Sequence, residues 1–430
     1  MQMLPQAPFT LLQIAIDPMT SSRESPRPSP LRWWAVSMLF LATVINYLDR
    51  QALSILAPEL RDRFHMTNVD YSRILFAFLL AYFIMQGVSG RIMDRLGTRK
   101  GFSLTIAWWS AAAMLHSLAR SARSFALCRF LLAMGEAGNW PGGVKVVSEW
   151  FPVRERAFAI GFFNSGSTLG AVIAPPLVVA LASHWGWQAA FVATGAIGFA
   201  WLALWLLTVH PPAQPLEGAV AASAARRRWR DLFRFPEVRA LIAARFLSDP
   251  VWWFYVFWLP EYLRRVRHFT LAEIGFFAWI PFLTASIGCI AGGIASGWLI
   301  RIGWRVIAAR KSIMVVSAVA MLSGIPAVLA EQAWVSLTWI CAVTLFYSMW
   351  SANMLTLPAD LFPHDEVASV SGLSGAGAAL GGMCLNLLVG YVVDHFSYVP
   401  VFVLAGLMPV GAAAFLMAGV REPRPSGVKA

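Results

Sequence analysis

Charged residues are scarce in this chain. Asp, Glu, Lys and Arg make up 13% of its 430 residues, whereas about 25% is usual in soluble domains, and 58% of the residues are hydrophobic. A soluble chain of this length could not bury so much apolar side chain, because its own surface would have to be apolar. The composition therefore excludes a soluble enzyme, a secreted scaffold and a disordered protein, and it indicates an integral membrane protein.

Cysteine and histidine are also few. The four cysteines lie far apart in apolar stretches, so their spacing predicts neither a disulfide framework nor a metal centre. The seven histidines show no spacing of the zinc-protease type, and no nucleophile–base pair emerges. We therefore expect no enzymatic activity, no metal and no cofactor.

Acidic residues are fewer than basic ones, 22 against 34, and the net charge is +12. A basic balance can indicate nucleic-acid binding, but no basic stretch lies in a soluble domain that could dock a duplex. In a membrane protein the same surplus is expected in the cytoplasmic loops. We expect no nucleic acid among the partners, which leaves the lipid bilayer.

Long hydrophobic runs fill the chain. A helix that crosses about 30 Å of hydrocarbon needs about 20 mostly apolar residues, and this length predicts an all-α integral membrane fold with twelve transmembrane helices. The first six are predicted near 33–55, 72–92, 102–119, 123–146, 158–181 and 188–209. The second six are predicted near 239–262, 274–299, 310–330, 333–357, 367–391 and 399–419.

One long polar loop divides these helices into two pseudo-symmetric six-helix halves. The segments are a flexible N-terminal tail (1–30), an N-terminal six-helix bundle (31–209), a cytoplasmic linker loop (210–238), a C-terminal six-helix bundle (239–420) and a C-terminal tail (421–430). The proline-rich first tail holds no convincing signal peptide, and a start at Met19 would leave a short polar tail before the first helix.

An internal repeat supports two equivalent halves. Phe151-Pro152 recurs as Phe362-Pro363, and other residues match at the same separation: Glu155 with Glu366, Ala157 with Ala368, Gly161 with Gly372 and Gly170 with Gly381. One register that holds over so many positions is hard to obtain by chance. It makes the fifth and eleventh helices equivalent.

The loop charges predict the orientation. If both termini are cytoplasmic, most of the 34 Lys and Arg residues fall in cytoplasmic loops, as the positive-inside rule requires. The cluster Arg264–Arg267 is the one outer loop that opposes the rule. We therefore expect a multi-pass protein of the bacterial inner membrane with both termini in the cytoplasm.

A few charges lie inside predicted helices. Asp49 and Arg50 belong to the first helix, and Arg129 and Glu136 belong to the fourth. A charge at mid-bilayer costs about 2.5–3.5 kcal/mol on insertion scales, so each one needs a reason. Asn46 and Arg50 project to one side of their helix, and Arg129 lies two turns from Glu136 on one face. Both helices thus point ionisable groups towards the bundle interior.

Two interpretations fit these charges. In the first, Asp49 and Glu136 exchange protons, because removal from water favours the neutral form of a carboxyl group, and Arg50 binds an anionic substrate through its two-pronged guanidinium. In the second, the groups form a buried network that only fixes helix packing. We favour the first for Asp49, Arg50 and Glu136 and leave both open for Arg129. Arg245 and Asp249 are interpreted as a local pair near the start of the seventh helix.

The loop after the second helix resembles a known motif. Residues 90–100 match the G-x-x-x-D-R-x-G-x-R-K loop of the major facilitator superfamily, in which the Asp and Arg take part in inter-helix contacts that govern switching. The resemblance implies a gating loop formed by Gly90, Asp94, Arg95, Gly97 and Arg99. The equivalent loop of the second half, 297–311, has no acidic residue.

A finer resemblance covers nearly the whole chain. Segments 45–50, 135–141, 149–152 and 174–176 are similar to the anion:cation symporter branch, and the chain resembles bacterial hexuronate (glucuronate and galacturonate) transporters most. Aldonate and aldarate carriers come next. The fifth helix departs from the Gly-Pro motif of the antiporters in the superfamily, which counts against a drug exporter.

This resemblance implies residue roles. Asp49 and Glu136 carry the coupling protons with Arg129 as the partner of Glu136, and Arg50 binds the substrate carboxylate with help from Tyr47 and Tyr82. Other polar and aromatic side chains at similar depth complete the expected substrate set, which is Asn46, Tyr47, Arg50, Tyr82, Trp253, Asn353 and Asn386. For Trp253, stacking on a sugar face and anchoring at the membrane interface are both open.

We therefore expect a monomeric proton symporter that imports a small organic anion, a hexuronate by resemblance, by alternating access between its halves. The proton serves as the coupling ion, although the sequence leaves sodium open. One alternative is a symporter for another carboxylate, such as galactonate, glucarate or an aromatic acid. A remote alternative is a non-transporting membrane sensor, against which the lack of a soluble output domain counts.

Overall fold

The computed structural model describes residues 30–210, 227, 229–269, 273, 277 and 279–422. Both predicted tails lie almost wholly outside the described residues, as does most of the 210–238 linker. The described residues are mostly helical and contain no β-strand. The all-α fold predicted from the sequence is confirmed.

The first half contains seven helical segments because one predicted helix is split. They are α1 (Leu31–Arg63), α2 (Asn68–Leu96), α3 (Thr98–Leu115), α4 (Ala122–Glu136), α5 (Asn139–Trp150), α6 (Val153–Trp185) and α7 (Trp187–Thr208).

The second half follows a short surface helix, α8 (Trp229–Leu232). Its segments are α9 (Pro236–Arg265), α10 (Ile280–Arg301), α11 (Val306–Ala320), α12 (Gly324–Leu329), α13 (Ala333–Leu361), α14 (Val367–His395) and α15 (Val399–Gly419). Within the described ranges, nine spans are long and apolar enough to cross a membrane, with α11 and α12 counted as one span. Three further regions, α3, the α4–α5 pair and α9, fall outside this count, and each carries charged side chains.

Proline explains the break in the predicted fourth helix. Pro141 has no backbone N–H, so it cannot donate to the carbonyl of Ala137 one turn earlier. Ser89 of α2 donates its hydroxyl to that carbonyl instead, at 3.3 Å. The break therefore leaves Glu136 as the last residue of α4, with a polar contact to α2 just beyond it.

The surface of the helical bundle is apolar and its interior holds polar groups. Each half has its own apolar core, one spanning Leu232 to Val420 and the other built mainly from residues between Ala35 and Val209. Large side chains such as Leu387 are largely exposed, while Glu136 is completely buried. This distribution fits a protein whose surrounding solvent is lipid.

The two halves pack closely near one end of the bundle, which we call the terminal face because the described chain begins and ends there at Leu31 and Gly419. The opposite end is the distal face. A Cβ atom on Gly90 of α2 would lie 2.1 Å from the carbonyl oxygen of Ala368 of α14, and one on Gly161 of α6 would lie 2.2 Å from that of Cys289 of α10. The halves are therefore in backbone contact towards the terminal face.

Candidate functional site

A central cavity lies between the two halves. Its empty space, part of which opens to solvent, is about 760 Å³. Both halves contribute charged, aromatic and hydroxyl side chains. The lining includes Tyr47, Arg50, Tyr82, Gln86, Trp140 and Asn164 from the first half, and Arg245, Asp249, Trp252, Trp253, Tyr347 and Ser348 from the second.

A larger vestibule adjoins the cavity on its distal side. It encloses about 1,280 Å³ and shares Tyr47, Arg50 and Trp253 with the central cavity. Its further walls include Leu75, which lies near the distal start of α2, and Arg129. The site therefore extends towards the distal face, while the halves are packed together towards the terminal face.

Arg50 is held by Glu136 across the α1–α4 interface. Its Nε and Nη2 atoms both donate to Glu136 Oε2, at 3.1 and 2.9 Å, and Nη2 also donates to Asn46 Oδ1 at 3.3 Å. Glu136 Oε1 has no hydrogen-bond partner among the described residues. The expected cation and acid thus form one ion pair in which a carboxylate oxygen stays free.

Aromatic rings surround the guanidinium of Arg50. Its carbon lies 5.1 Å from the ring centres of Tyr47 and Tyr82, 5.2 Å from that of Phe78 and 6.0 Å from that of Trp140. Rings at such distances stabilise a buried cation through their negative faces. The same rings offer flat apolar surface to a ligand.

Asp49 lies off the cavity wall, beside α7. Only 2% of its surface is exposed, and neither carboxylate oxygen accepts a hydrogen bond of ordinary geometry from the described part of the chain. Thr194 is its polar neighbour, and Glu136 and Arg129 interact with it electrostatically. Asp49 is thus a second buried carboxyl group with free oxygens.

Arg129 interacts electrostatically with Glu136, the partner that the resemblance implies. No ion pair joins the two side chains in the described residues. Arg129 Nη2 donates to the backbone oxygen of Arg50 at 3.0 Å, and its guanidinium lies over the ring of Phe78 at 5.7 Å. The physical reason is position, since Arg129 lies two turns closer to the distal face than Glu136 and reaches the backbone of α1 there.

A second ion pair lies in the cavity wall of the other half. Arg245 donates from Nε and Nη2 to Asp249 Oδ2, at 2.9 and 2.7 Å, and both residues line the cavity. The predicted local pair is present, but α9 begins at Pro236, so it lies well inside the helix. Its place in the cavity was missed, because spacing of i and i+4 does not reveal which way a helix face points.

The other expected substrate residues divide into two groups. Tyr47, Tyr82 and Trp253 line the cavity beside Arg50, and Asn386 lines the vestibule, where its Oδ1 accepts from Trp258 Nε1 at 3.2 Å. Asn46 was expected to bind substrate, but it lies behind Arg50 and not in the cavity wall. It is fully buried, and its Oδ1 accepts from Arg50 Nη2 at 3.3 Å.

Asn353 was expected in the substrate set, but it does not line the cavity. It is fully buried, and its Nδ2 donates to the backbone oxygens of Gly292 and Met349, at 3.1 and 2.9 Å. Ser348 and Ser351 of the same helix, α13, face the cavity instead. A second polar face on α13 thus packs against α10, and the sequence alone did not separate the two faces.

The gating loop joins the two halves through Asp94. Its carboxylate accepts from Lys145 Nζ at 2.8 Å within its own half, and from the backbone N–H groups of Ala368 and Ser369, at 3.2 and 2.7 Å, in the other half. Those N–H groups belong to the first turn of α14, where the helix dipole favours a negative charge.

The rest of this loop lies around Asp94. Gly90 packs against Ala368, Gly97 makes the turn into α3 with a φ of 76°, and Arg99 Nη2 donates to the backbone oxygen of Leu206 at 2.6 Å. Arg95 is exposed. Of the five expected residues, Gly90 and Asp94 make the contacts between the halves.

A buried ionic cluster that the sequence reasoning missed also joins the halves. Asp360 of α13 accepts from Arg156 Nη1 of α6 and from Arg310 Nε of α11, both at 3.1 Å. Arg310 Nη2 also donates to the backbone oxygen of Val153, at 2.8 Å. Two cations and one carboxylate thus connect the first half to the second near the terminal face.

The site's chemistry suits a small polyhydroxy anion. Two guanidinium groups face one cavity among aromatic rings and hydroxyls, and guanidinium forks match carboxylates in geometry. In the described part of the chain, no three Asp, Glu, His or Cys residues gather in a way that could hold a metal ion. Two helical halves around a cavity that is closed towards one face define a membrane transporter.

The chain belongs to the Major Facilitator Superfamily, whose sequence profile matches residues 39–309 and 305–430. A hexuronate transporter of Escherichia coli (strain K12) is 34% identical over 400 residues, which cover 89% of this chain and 92% of the relative. A galacturonate transporter of Dickeya chrysanthemi is 37% identical over 279 residues, 61% of this chain and 81% of the relative.

A solved structure shows the same fold. The crystal structure of the transporter FucP in the outward conformation matches with a TM-score of 0.73 at 16% identity, covering 91% of this chain and 99% of that one. The superfamily expected from the gating loop is confirmed. The protein is a multi-pass membrane transporter and not an enzyme.

Proposed function

We propose that this protein is a proton-coupled symporter that imports a hexuronate sugar acid across the bacterial inner membrane. The relatives reported above are named for hexuronate and galacturonate transport, and the cavity offers the guanidinium and aromatic groups that such an anion needs. One observation carries the coupling, namely that Glu136 holds Arg50 in the cavity wall while its Oε1 atom stays free.

The charge balance explains why proton and anion move together. With Glu136 ionised, Arg50 is neutralised, and a bound anion would leave a net negative charge in a closed cavity. With Glu136 protonated and no anion, Arg50 would leave a net positive charge. Either charge costs several kcal/mol away from water. Two states are neutral, namely the empty state with Glu136 ionised and the state that holds both proton and substrate. Only these two states can change conformation at low cost.

Substrate binding starts from the freed guanidinium. Protonation of Glu136 weakens its bond to Arg50, whose fork then binds the sugar carboxylate, with Asn46 holding the arginine in place. Tyr47, Tyr82 and Trp253 contact the sugar ring from the cavity wall, and Asn386 meets the substrate in the vestibule. Asn353 is not part of this proposed set.

Asp49 takes part in the proton exchange as a second acceptor. Its free carboxylate oxygens are buried, and it interacts electrostatically with both Glu136 and Arg129. Arg129 lines the vestibule, and because its guanidinium is always charged it acts on the two acids through its charge and does not carry the proton itself. The bond from Arg129 to the backbone of Arg50 fixes α1 against α4.

The described conformation is the outward-facing one in this scheme. By the order of the helices, most of the basic residues in the sequence belong to loops and tails on the terminal side, and this excess supports a cytoplasmic position for that face and for both termini. Asp94 and Gly90 close this face, with Arg95, Gly97 and Arg99 shaping the gating loop. Inward opening breaks these contacts as the distal vestibule closes. No contact that the mechanism uses needs a second copy, so we propose a monomer.

Uptake into proteoliposomes tests the proposal. Labelled glucuronate should accumulate under an inward proton gradient and not under an inward sodium gradient. A panel of unlabelled galactonate, glucarate and aromatic acids identifies the preferred substrate, and a stronger competitor among them would favour the alternative carboxylate symporter. Equilibrium binding without counterflow would instead favour a sensor.

A further inference from the structure

We propose that Asp249 selects for substrates with a single carboxylate, because it keeps Arg245 occupied and so leaves Arg50 as the one cation that an anion can bind. The inference rests on the proposed function, since it concerns the same cavity. It identifies Asp249 as the residue that makes the protein prefer uronates and aldonates, which have one carboxylate, over aldarates, which have a carboxylate at each end.

All three nitrogens of the Arg245 guanidinium and both carboxylate oxygens of Asp249 have hydrogen-bond partners. Nε and Nη2 of Arg245 donate to Asp249 Oδ2 at 2.9 and 2.7 Å, while Asp249 Oδ1 accepts from the hydroxyl of Ser248 at 3.0 Å. The remaining arm of Arg245, Nη1, donates to Ser374 Oγ at 3.5 Å. Both carboxylate oxygens of Asp249 therefore have donors, and the arginine is held from both sides.

The Arg50–Glu136 pair differs from the Arg245–Asp249 pair because one of its carboxylate oxygens has no hydrogen-bond partner in the described residues. Glu136 receives both guanidinium bonds on Oε2, and Oε1 has no partner in the described residues. A proton can bind the free oxygen without displacing a donor. On Asp249 a proton would compete with Arg245 or with Ser248. Protonation therefore breaks the Arg50–Glu136 ion pair and leaves the Arg245–Asp249 ion pair intact.

The cavity then offers one uncompensated positive charge. Arg50 and the Arg245–Asp249 pair line the same cavity. One carboxylate neutralises Arg50. A second carboxylate at the far end of the substrate would come near Asp249 with no free cation to meet it. An unpaired charge in such a site is costly, and repulsion from a fixed charge is an effective way to reject a competing ligand.

The Asp249→Asn variant tests this inference. Wild-type and variant chains are reconstituted in proteoliposomes, and uptake of labelled glucuronate is measured against increasing unlabelled glucarate. In the wild type, glucarate should compete at least about tenfold more weakly than glucuronate. In D249N, glucarate should compete about tenfold more strongly, relative to glucuronate, than it does in the wild type. A factor of ten corresponds to about 1.4 kcal/mol, the size of one lost charge contact.

Two further variants separate selection from damage. Asp231→Asn removes the acid of an exposed ion pair with Arg234, outside the cavity, and should leave the ratio unchanged. Adding Arg245→Gln to D249N removes the cation that D249N frees, so it should abolish the gain in glucarate competition. A gain that persists in the double variant overturns the inference.

The competition experiment with the wild-type protein tests the inference even if D249N does not fold. Equal competition by glucuronate and glucarate in the wild type overturns the inference, as does an unchanged ratio in a D249N protein that still transports glucuronate. If the wild type carries neither acid, the proposed function fails first and the inference fails with it. If glucuronate uptake ignores the proton gradient, the coupling fails while the selectivity result still stands.

Discussion

Nε and Nη2 of Arg50 donate to the same oxygen of Glu136, at 3.1 and 2.9 Å, and the other oxygen of that carboxylate has no partner among the described residues. In the proposed mechanism, Glu136 and the substrate therefore compete for Arg50, and Arg50 and the proton compete for Glu136. This competition links the two ligands without any long-range pathway.

Replacing Glu136 by Gln should uncouple transport from the proton. The amide keeps the size of the side chain but removes its charge, so Arg50 is permanently available. We expect glucuronate accumulation under a proton gradient to fall at least about tenfold, while counterflow of glucuronate persists. Glu155→Gln is the matched control, because Glu155 pairs with Arg32 at the terminal face. Gradient-driven accumulation that survives in E136Q would assign the coupling proton elsewhere.

Replacing Arg50 by Lys should weaken substrate binding although the positive charge is kept. An ammonium group cannot form the two parallel bonds of a guanidinium fork. Loss of one charge-assisted hydrogen bond costs about 1.5–3 kcal/mol, which corresponds to roughly 10- to 150-fold in affinity. Calorimetric binding of glucuronate in detergent measures the change. The exposed Arg73→Lys serves as control, and an affinity equal to wild type in R50K would remove Arg50 from the site.

Replacing Gly90 by Ala should open the terminal face. The added Cβ would lie 2.1 Å from the backbone oxygen of Ala368, which cannot rotate away as a side chain could. Spin labels on cysteines at the exposed positions Lys100 and Arg301, in a background without the native cysteines, should move apart. Gly390→Ala is the control, because its Cβ would have an ordinary contact of 3.9 Å. Unchanged label distances in G90A would mean that closure does not depend on this contact.

Replacing Asp360 by Asn should destabilise the protein or its closed terminal face. Arg156 and Arg310 both lose their buried counter-ion, and removing one partner of a buried pair typically costs about 3–5 kcal/mol. Thermal unfolding in detergent should show a clearly lower Tm, whereas Asp231→Asn at the surface should not change it. A D360N protein as stable as wild type would show that the two arginines are solvated or paired in another way.

The sequence predicted the membrane helices well because lipid imposes a simple rule on length and polarity. It missed the break in the fourth helix, which was predicted as one continuous segment over 123–146. A proline can end a helix or merely kink it, and here the helix ends at Glu136, ahead of Pro141. The basic cluster at Arg264–Arg267 opposed the charge rule. Arg267 donates to the backbone oxygens of Ala327 and Val328 at the end of α12, at 2.8 and 3.0 Å, so its position serves local structure.

The site was predictable where a charge in an apolar helix has few explanations other than a functional role, as for Arg50 and Glu136. It was less predictable where the rotation of a helix decides the outcome. Asn353 and Ser348 lie on the same helix, but they face α10 and the cavity respectively. The contacts of Asp360 depend on residues distant in the chain, and no local pattern marks them.

Proton movement caused by the substrate tests the central claim most directly. Proteoliposomes with a pH dye inside and no imposed gradient receive glucuronate in weakly buffered medium. The interior should acidify as the sugar acid enters through the wild-type protein, and it should not acidify through E136Q even though labelled glucuronate still exchanges. Glucuronate entry through the wild type with no change in internal pH would contradict proton symport.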